Sequence, residues 1–183
     1  MLSLVPLQNI PIIRQGYNLA DILVDSLQSS NVQLANDDIL VIAQKIVSKA
    51  EGRIVNLGTI TPNPRAIELA KKAEKDPRVV ELVLQESNEV LRVRKGTIIV
   101  EHKLGFVCAN AGIDHSNVGT PLPKGDALGE LAEEYVLLLP EDPDQSARNI
   151  REKIKQKTPD KGGSFLRASC YETILNSINI LAD

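Results

Sequence analysis

An aspartate, a histidine, a serine and an asparagine stand in a row at Asp114-His115-Ser116-Asn117. They follow the small, apolar run Gly105-Phe106-Val107-Cys108-Ala109-Asn110-Ala111-Gly112-Ile113. A carboxylate beside hydroxyl and amide oxygens is the donor chemistry of a hard divalent cation. The same residue types also build an Asx-turn that only shapes a loop. A second polar set is Gln44-Lys45-Ile46-Val47-Ser48-Lys49-Ala50-Glu51-Gly52-Arg53. Its two lysines, four apart, share one helical face and could converge on a polyanion. The alternative is a solvated basic turn with Glu51 as partner. Spacing alone leaves both pairs of readings open. His102 and His115 are too far apart in sequence to claim one site, and Asp142-Pro143-Asp144 reads as a helix start, where carboxylates are favoured.

These groups need elements to hold them. Leu2–Leu7 reads as a first strand and Asn9–Gly16 as an apolar loop. Asn18 is the expected N-cap of a helix over Leu19–Gln28, with Leu19, Ile22, Leu23 and Leu27 on one face. Asn36-Asp37-Asp38 is a turn, and Ile39–Ala43 a fully buried strand that feeds the lysine segment. A short strand, Ile54–Leu57, follows. Thr61-Pro62-Asn63-Pro64 starts a helix with Ile67, Leu69, Ala70 and Ala73 inward. Pro77 breaks and restarts it, capped by Asp76. Glu89–Arg94 and Thr97–His102 form a hairpin about Lys95-Gly96, with alternation over Val90, Arg92 and Arg94. Tyr135–Leu139 is a buried strand and Gln145–Lys157 a helix with Ala147, Ile150 and Ile154 inward. Pro159 to Ser164 breaks structure, and Phe165–Asp183 fits one amphipathic helix. The order of strands and helices predicts an α+β (mixed α/β) class, with mixed sheets and packed helices.

Bulk properties narrow the partners. The chain has 183 residues and a formal charge of -3, room for one sizeable domain or two small ones. A general nucleic-acid binder would be basic, and the few aromatics argue against base-stacking platforms. Lys71, Lys72 and Lys75 sit among Glu68, Glu74 and Asp76, as on a solvated helix face. Two cysteines, Cys108 and Cys170, make neither a disulfide framework nor a zinc spacing. No apolar run reaches the roughly 18 residues of a membrane helix. The expectation is a cytoplasmic protein that engages neither nucleic acid nor membrane. No Walker P-loop, G-x-G-x-x-G, G-x-S-x-G or H-E-x-x-H is present.

Taken together and in order, Ile10-Pro11-Ile12-Ile13, the Gln44–Arg53 segment and Gly105–Val118 resemble the coenzyme F(420)-0:L-glutamate ligase family, the GTP-dependent γ-glutamyl ligases of deazaflavin biosynthesis. Lys75–Ser87 and Leu137–Ala147 agree, so the resemblance runs over roughly Leu4–Ile154. It implies transfer of the γ-phosphate of GTP to the terminal carboxylate of a deazaflavin coenzyme precursor. The amine of L-glutamate then attacks the acyl phosphate. By motif, it assigns Ile10, Pro11, Ile12 and Ile13 to the lining of the nucleotide. Gln44, Lys45 and Lys49 would meet the nucleotide from the strand end, and Asn117 would hydrogen-bond it. Asp114 would be a ligand of Mg2+ or Mn2+. The resemblance assigns no catalytic residue. It also implies an intertwined homodimer and assistance by K+.

The chain departs from the family in two places. Gly119–Glu134 is longer than the family's usual link and is expected to be a surface insertion. Near Lys155 the resemblance stops, where the family continues with a buried strand, an Asp-Thr or Asp-Ser pair with further metal ligands, and Gly-Arg. Residues 1–158 are therefore expected to form the N-terminal portion of the ligase domain, and 159–183 a divergent, helical tail outside the family pattern. A frameshift or early stop is the first explanation. The others are a non-catalytic nucleotide- or metal-binding remnant and a chain whose site a second copy completes.

Overall fold

The computed structural model describes residues 3–35, 38–115, 134–157 and 167–169. In chain order the elements are α1 (Leu19–Ser29), β1 (Ile39–Val41), α2 (Gln44–Ala50), β2 (Ile54–Asn56), α3 (Pro64–Ala73), α4 (Pro77–Gln85), β3 (Ser87–Arg94), β4 (Thr97–His102), β5 (Val107–Ala109), β6 (Tyr135–Leu137), α5 (Pro143–Lys157) and β7 (Arg167–Ser169). Parallel and antiparallel ladders both occur, as the α+β expectation requires. The chain divides into two compact units. Among the described residues the first holds those up to Gly52 and those from Pro140 onward, and the second is Arg53–Leu139.

In the first unit α1 buries Leu19, Leu23, Val24 and Leu27, a stripe at helical spacing. Leu19, Leu23 and Val24 pack in one core with Ile13, Leu40, Ile42, Val47, Ile150 and Ile154. Asn18 does occupy the N-cap position of α1, but its side chain makes no capping hydrogen bond. On α5 the expected helix-start device is present: Asp142 Oδ1 accepts from the Gln145 amide at 2.8 Å.

Three expectations for this unit are corrected. The described part of Leu2–Leu7 is not a strand: Leu4 is 82% exposed and Pro6 has no N–H for a ladder. Strand β1 is shorter than Ile39–Ala43 and is not fully buried. Only Leu40 faces the core, while Ile39 and Val41 are 60% and 64% exposed, because one face alone packs. Finally, β7 lies within the stretch expected to be helical. It pairs in parallel with β1, Ile39 opposite Arg167 and Val41 opposite Ser169. The remainder of Phe165–Asp183, the Asn36-Asp37 turn and nearly all of the Gly119–Glu134 link lie outside the described residues.

In the second unit proline and its preceding residue set the helix starts. Asn63 Oδ1 accepts from the Ala66 amide at 2.8 Å and Asp76 Oδ1 from the Arg78 amide at 2.8 Å, with Pro64 and Pro77 at the first helical positions. The Arg78 guanidinium, 2.7 Å from Asp76 Oδ2, holds that carboxyl below its ordinary pKa. Small residues form the inner face of α3, since Ala66, Ala70 and Ala73 are buried while Ile67, expected inward, is 39% exposed. The core continues through Val79, Val80, Leu82, Val83, Ile98, Val100 and Cys108. Burial raises the Cys108 thiol to about 11, so it is an inert packing group.

The hairpin expected about Lys95-Gly96 is present, and β5 extends it to three antiparallel strands. The alternation expected over Val90, Arg92 and Arg94 is not. Register shifts fall between Ser87 and Glu89 and between Val90 and Arg92, and such a bulge moves the inward set by one residue. Val90 and Val93 therefore pack against the core.

Arg53 ties the ends of this unit together. Its Nε donates to the Leu139 carbonyl at 2.8 Å, its carbonyl accepts from the Leu138 amide at 2.9 Å, and its guanidinium meets Glu86 Oε2 at 2.8 Å. Beside them His102 is 2% exposed. Its Nδ1 accepts from the Leu104 amide at 3.0 Å, which puts the ring proton on Nε2. The ring stacks on Phe106 at 5.1 Å. Nε2 is 3.9 Å from Glu86 Oε2, too far for a hydrogen bond, and has no partner. Burial lowers the His102 pKa, opposed by Glu86 and aided by Lys103 and Arg53.

That shift links stability to pH. As pH falls below about 6.5 the unfolded chain takes up the histidine proton first. The stabilising contribution is complete above that pH and is lost as pH falls through the lower folded value. The melting temperature is expected to drop between pH 7.5 and 5.5, and His102→Asn, which keeps an acceptor for Leu104, is expected to flatten that slope. An undiminished slope in the variant would assign it to another group.

Candidate functional site

The apolar loop and the lysine segment both lie in the first unit. Asn9 has a left-handed backbone, φ 60°, and leads into Ile10-Pro11-Ile12-Ile13. Ile13 turns into the core, whereas Ile10, Pro11 and Ile12 remain exposed. At the far end of the loop the Gly16 amide donates to the Ala50 carbonyl at 2.9 Å. That bond ties the loop to the C-terminal end of α2. Exposed aliphatic side chains on a loop anchored at both ends can cover a flat apolar ring face.

Helix α2 begins where the chain leaves β1. Ala43 is still extended at ψ 134°. Gln44, the first helical residue, is buried and donates from Nε2 to Ser48 Oγ at 2.5 Å. Val47 and Ser48 are buried beside it. Lys45 and Lys49 are half-buried, one helical turn apart as expected. Two ammonium groups on one face of a short helix provide positive charge for phosphate oxygens, each as a compact point charge. The solvated-turn alternative named Glu51 as their partner. In the structure Glu51 Oε1 instead accepts a short hydrogen bond from the Ser146 hydroxyl.

Asp114 lies in the second unit, half-exposed. Its backbone is held by a two-way bridge to β6. Its amide donates to the Leu137 carbonyl at 2.9 Å, and its carbonyl accepts from the Leu137 amide at 2.9 Å. His115 is exposed, and Ser116 and Asn117 fall outside the described residues. The carboxylate is a hard oxygen donor on a fixed backbone, which suits one position around Mg2+ or Mn2+. Among the described residues no group of three or more His, Cys, Asp or Glu could hold a metal ion. The structure thus brings Gln44, Lys45 and Lys49 together on α2 and sets Asp114 in the other unit.

Sequence reasoning passed over Asn110, whose side-chain Oδ1 accepts from the Ile98 amide at 3.0 Å. It is the first of three left-handed residues, Asn110, Ala111 and Gly112, with φ of 50°, 52° and 66°. The signal was the Asn-Ala-Gly triplet itself, since asparagine and glycine visit that conformation most readily.

Comparison with known proteins places these segments in one family. Residues 8–163 match the family model described as F420-0:Gamma-glutamyl ligase. The chain is 40% identical over 161 residues to a protein of Methanothermobacter thermautotrophicus named coenzyme F420:L-glutamate ligase, covering 86% of this chain and 57% of that one. A protein of the same name from Methanopyrus kandleri is 42% identical over 144 residues, covering 79% and 50%. The Methanocaldococcus jannaschii protein of that name is 38% identical over 162 residues, covering 87% and 57%. The chain therefore spans about half the length of these relatives. Among the described residues no helix is long and apolar enough to cross a membrane.

Proposed function

The chain belongs to the F420-0:gamma-glutamyl ligase family, and we propose that it carries the nucleotide-binding portion of a GTP-dependent ligase that joins L-glutamate to coenzyme F(420)-0 through a γ-glutamyl bond. One observation carries the reading: the match over residues 8–163 includes both the half-buried lysine pair of α2 and Asp114, whose backbone is bridged to Leu137.

A carboxylate is a poor acyl donor because its leaving group would be oxide. In the proposed reaction a carboxylate oxygen of the coenzyme precursor attacks the γ-phosphorus of GTP, and GDP departs. The amine of L-glutamate then attacks the acyl carbon. Inorganic phosphate leaves with the bonding electrons, and the amine loses a proton to solvent. Lys45 and Lys49 hold phosphate oxygens, Gln44 orients the first turn of α2, and Ile10, Pro11 and Ile12 line the nucleotide on a loop that the buried Ile13 anchors in the core. Asp114 holds Mg2+ or Mn2+, and Asn117 bonds the nucleotide. The ion, when bound, neutralises charge that develops on the transferred phosphoryl group. The protein's part is positioning and fixed electrostatics. The same reading brings a homodimer, K+ as an activating cation and a cytoplasmic setting.

Incubation of the pure chain with GTP, Mn2+, L-glutamate and the glutamate-free coenzyme, read by mass, tests this. A product heavier by one glutamyl residue is expected. GTP binding without product would instead favour a non-catalytic remnant of the family or an assembly partner of a full-length copy. Lys49→Ala is expected to weaken GTP binding about tenfold, the loss of one charge-assisted phosphate contact. Calorimetric titration measures it, and unchanged affinity would mean that the pair is only a solvated face.

A further inference from the structure

We propose that the cavity between α2, α5 and the start of α1 is a site for a free amino acid, with Glu51 taking its ammonium group and Lys153 a carboxylate. In naming L-glutamate as the occupant the proposal rests on the ligase reading, whereas the amino-acid site rests on the cavity itself.

The cavity lies wholly within the first unit. Its volume is about 150 Å3, half that of the smallest drug-sized pockets at roughly 300 Å3. That is room for an amino acid and too little for a nucleotide. The floor is apolar: Leu19, Val47 and Ile150 line it, are 7%, 2% and 7% exposed, and belong to one core. Val47 and Ala50 face it from α2. At about 3.6 residues per turn they lie on the opposite side of that helix from Lys45 and Lys49. The cavity is therefore separate from the lysine face.

The rim carries two opposite charges that are not paired with each other. Ser146, Asn149, Ile150 and Lys153 line the cavity from α5, and their spacing puts them on one helical face. At one end the Ser146 hydroxyl donates to Glu51 Oε1, which holds that carboxylate at the rim and leaves Oε2 as an acceptor. Lys153 stands at the other end, about 10 Å further along the helix at roughly 1.5 Å per residue. Among the described residues it makes no ion pair. Beside it, Asn149 Oδ1 accepts from Gln145 Nε2 at 2.8 Å, so the Asn149 amide nitrogen is left to donate. A lone anion here would meet Glu51, and a lone cation would meet Lys153. A small molecule carrying both signs, with methylenes between them for the apolar floor, complements all three features. L-Glutamate is the amino acid in the names of the relatives, and its side-chain carboxylate lengthens it toward Lys153.

The test titrates the full, 15N-labelled chain with L-glutamate and follows backbone amides by NMR. Saturable shifts are expected at Glu51, Ser146, Asn149 and Lys153. Lys153→Met should need about tenfold more L-glutamate, the loss of one charge-assisted contact. Glu51→Gln keeps an acceptor for Ser146 and should cost about as much. N-acetyl-L-glutamate lacks the ammonium group. It should bind the wild type about tenfold more weakly than L-glutamate does, yet lose nothing further in Glu51→Gln. A Glu51 that only supported the fold would weaken both ligands alike. Absence of shifts at these amides, or an unchanged titration in both variants, overturns the site. GTP titrated in parallel separates the two readings: shifts with GTP and none here with L-glutamate overturn the site and leave the ligase reading standing. Equal binding of L-glutamine, which has no side-chain charge for Lys153, overturns the L-glutamate assignment and supports a general amino-acid site.

Discussion

Gly112→Ala is expected to destabilise the protein by about 3 kcal/mol and lower its melting temperature by about 10 °C. Two independent effects add. The residue sits at φ 66°, where an L-side chain costs roughly 1–2 kcal/mol. A Cβ there would also lie 2.8 Å from Leu139 Cδ1 and 2.9 Å from its Cγ, inside van der Waals contact. Leu139 has little freedom to retreat. It is 3% exposed, and its carbonyl is held by Arg53 Nε. Overpacking a closed site adds roughly 1–3 kcal/mol. Leu139→Ala in the same chain removes the clash but not the backbone strain, so the double variant should be less destabilised than the sum of the singles. Melting at the wild-type temperature in Gly112→Ala would show that Leu139 moves freely.

Arg53→Ala is expected to lose about 2–3 kcal/mol of stability, read by urea denaturation. The guanidinium serves two acceptors at once. Removing it leaves the Leu139 carbonyl without this donor and deprives Glu86, whose side chain is 14% exposed, of its nearest cation. Lys103 Nζ remains 3.5 Å from Glu86 Oε1, so that carboxylate keeps one partner and the loss stays below that of a fully buried, stranded charge. Arg53→Lys should recover only part of the loss, because one ammonium cannot reproduce a planar fork aimed at two targets. Glu86→Gln combined with Arg53→Ala should cost less than the two singles together. Strict additivity would mean that the pair contributes nothing beyond its separate contacts.

Which of these features a reader of the sequence could have seen depends on how local their causes are. The starts of α3 and α4 were legible because Asn63-Pro64 and Asp76-Pro77 carry their own capping chemistry. The hairpin was legible because Lys95-Gly96 fixes its turn. The register within it was not, since nothing in Val90–Arg94 announces a bulge. The burial of β1 was overestimated because an apolar run looks the same whether one face packs or two. The paired lysines of α2 followed from helical spacing, but Lys45 and Lys49 acquire a role only through resemblance to a family. Asp114 was visible as a carboxylate after a small apolar run. The turn before it carried a local signal in Asn110-Ala111-Gly112, but its anchor did not, because Asn110 accepts from an amide of another strand. The Arg53 network escaped notice for the same reason: its partners are 33 and 86 residues away.

The two units differ in how the chain supplies them, and this sets an order in time. The described part of the second unit is one continuous segment, Arg53–Leu139. Its core and three-stranded sheet can close as soon as that segment leaves the ribosome. The core of the first unit joins α1 to Ile150 and Ile154 of α5. Its early residues must wait, with Leu19, Leu23 and Val24 uncovered, until α5 has been made. At roughly 5–20 residues per second, synthesis of the intervening chain leaves that apolar helix without its partner for several seconds. Of the two described cores, the one that contains α1 therefore closes later than the one built from Arg53–Leu139, and α1 is where a chaperone would act.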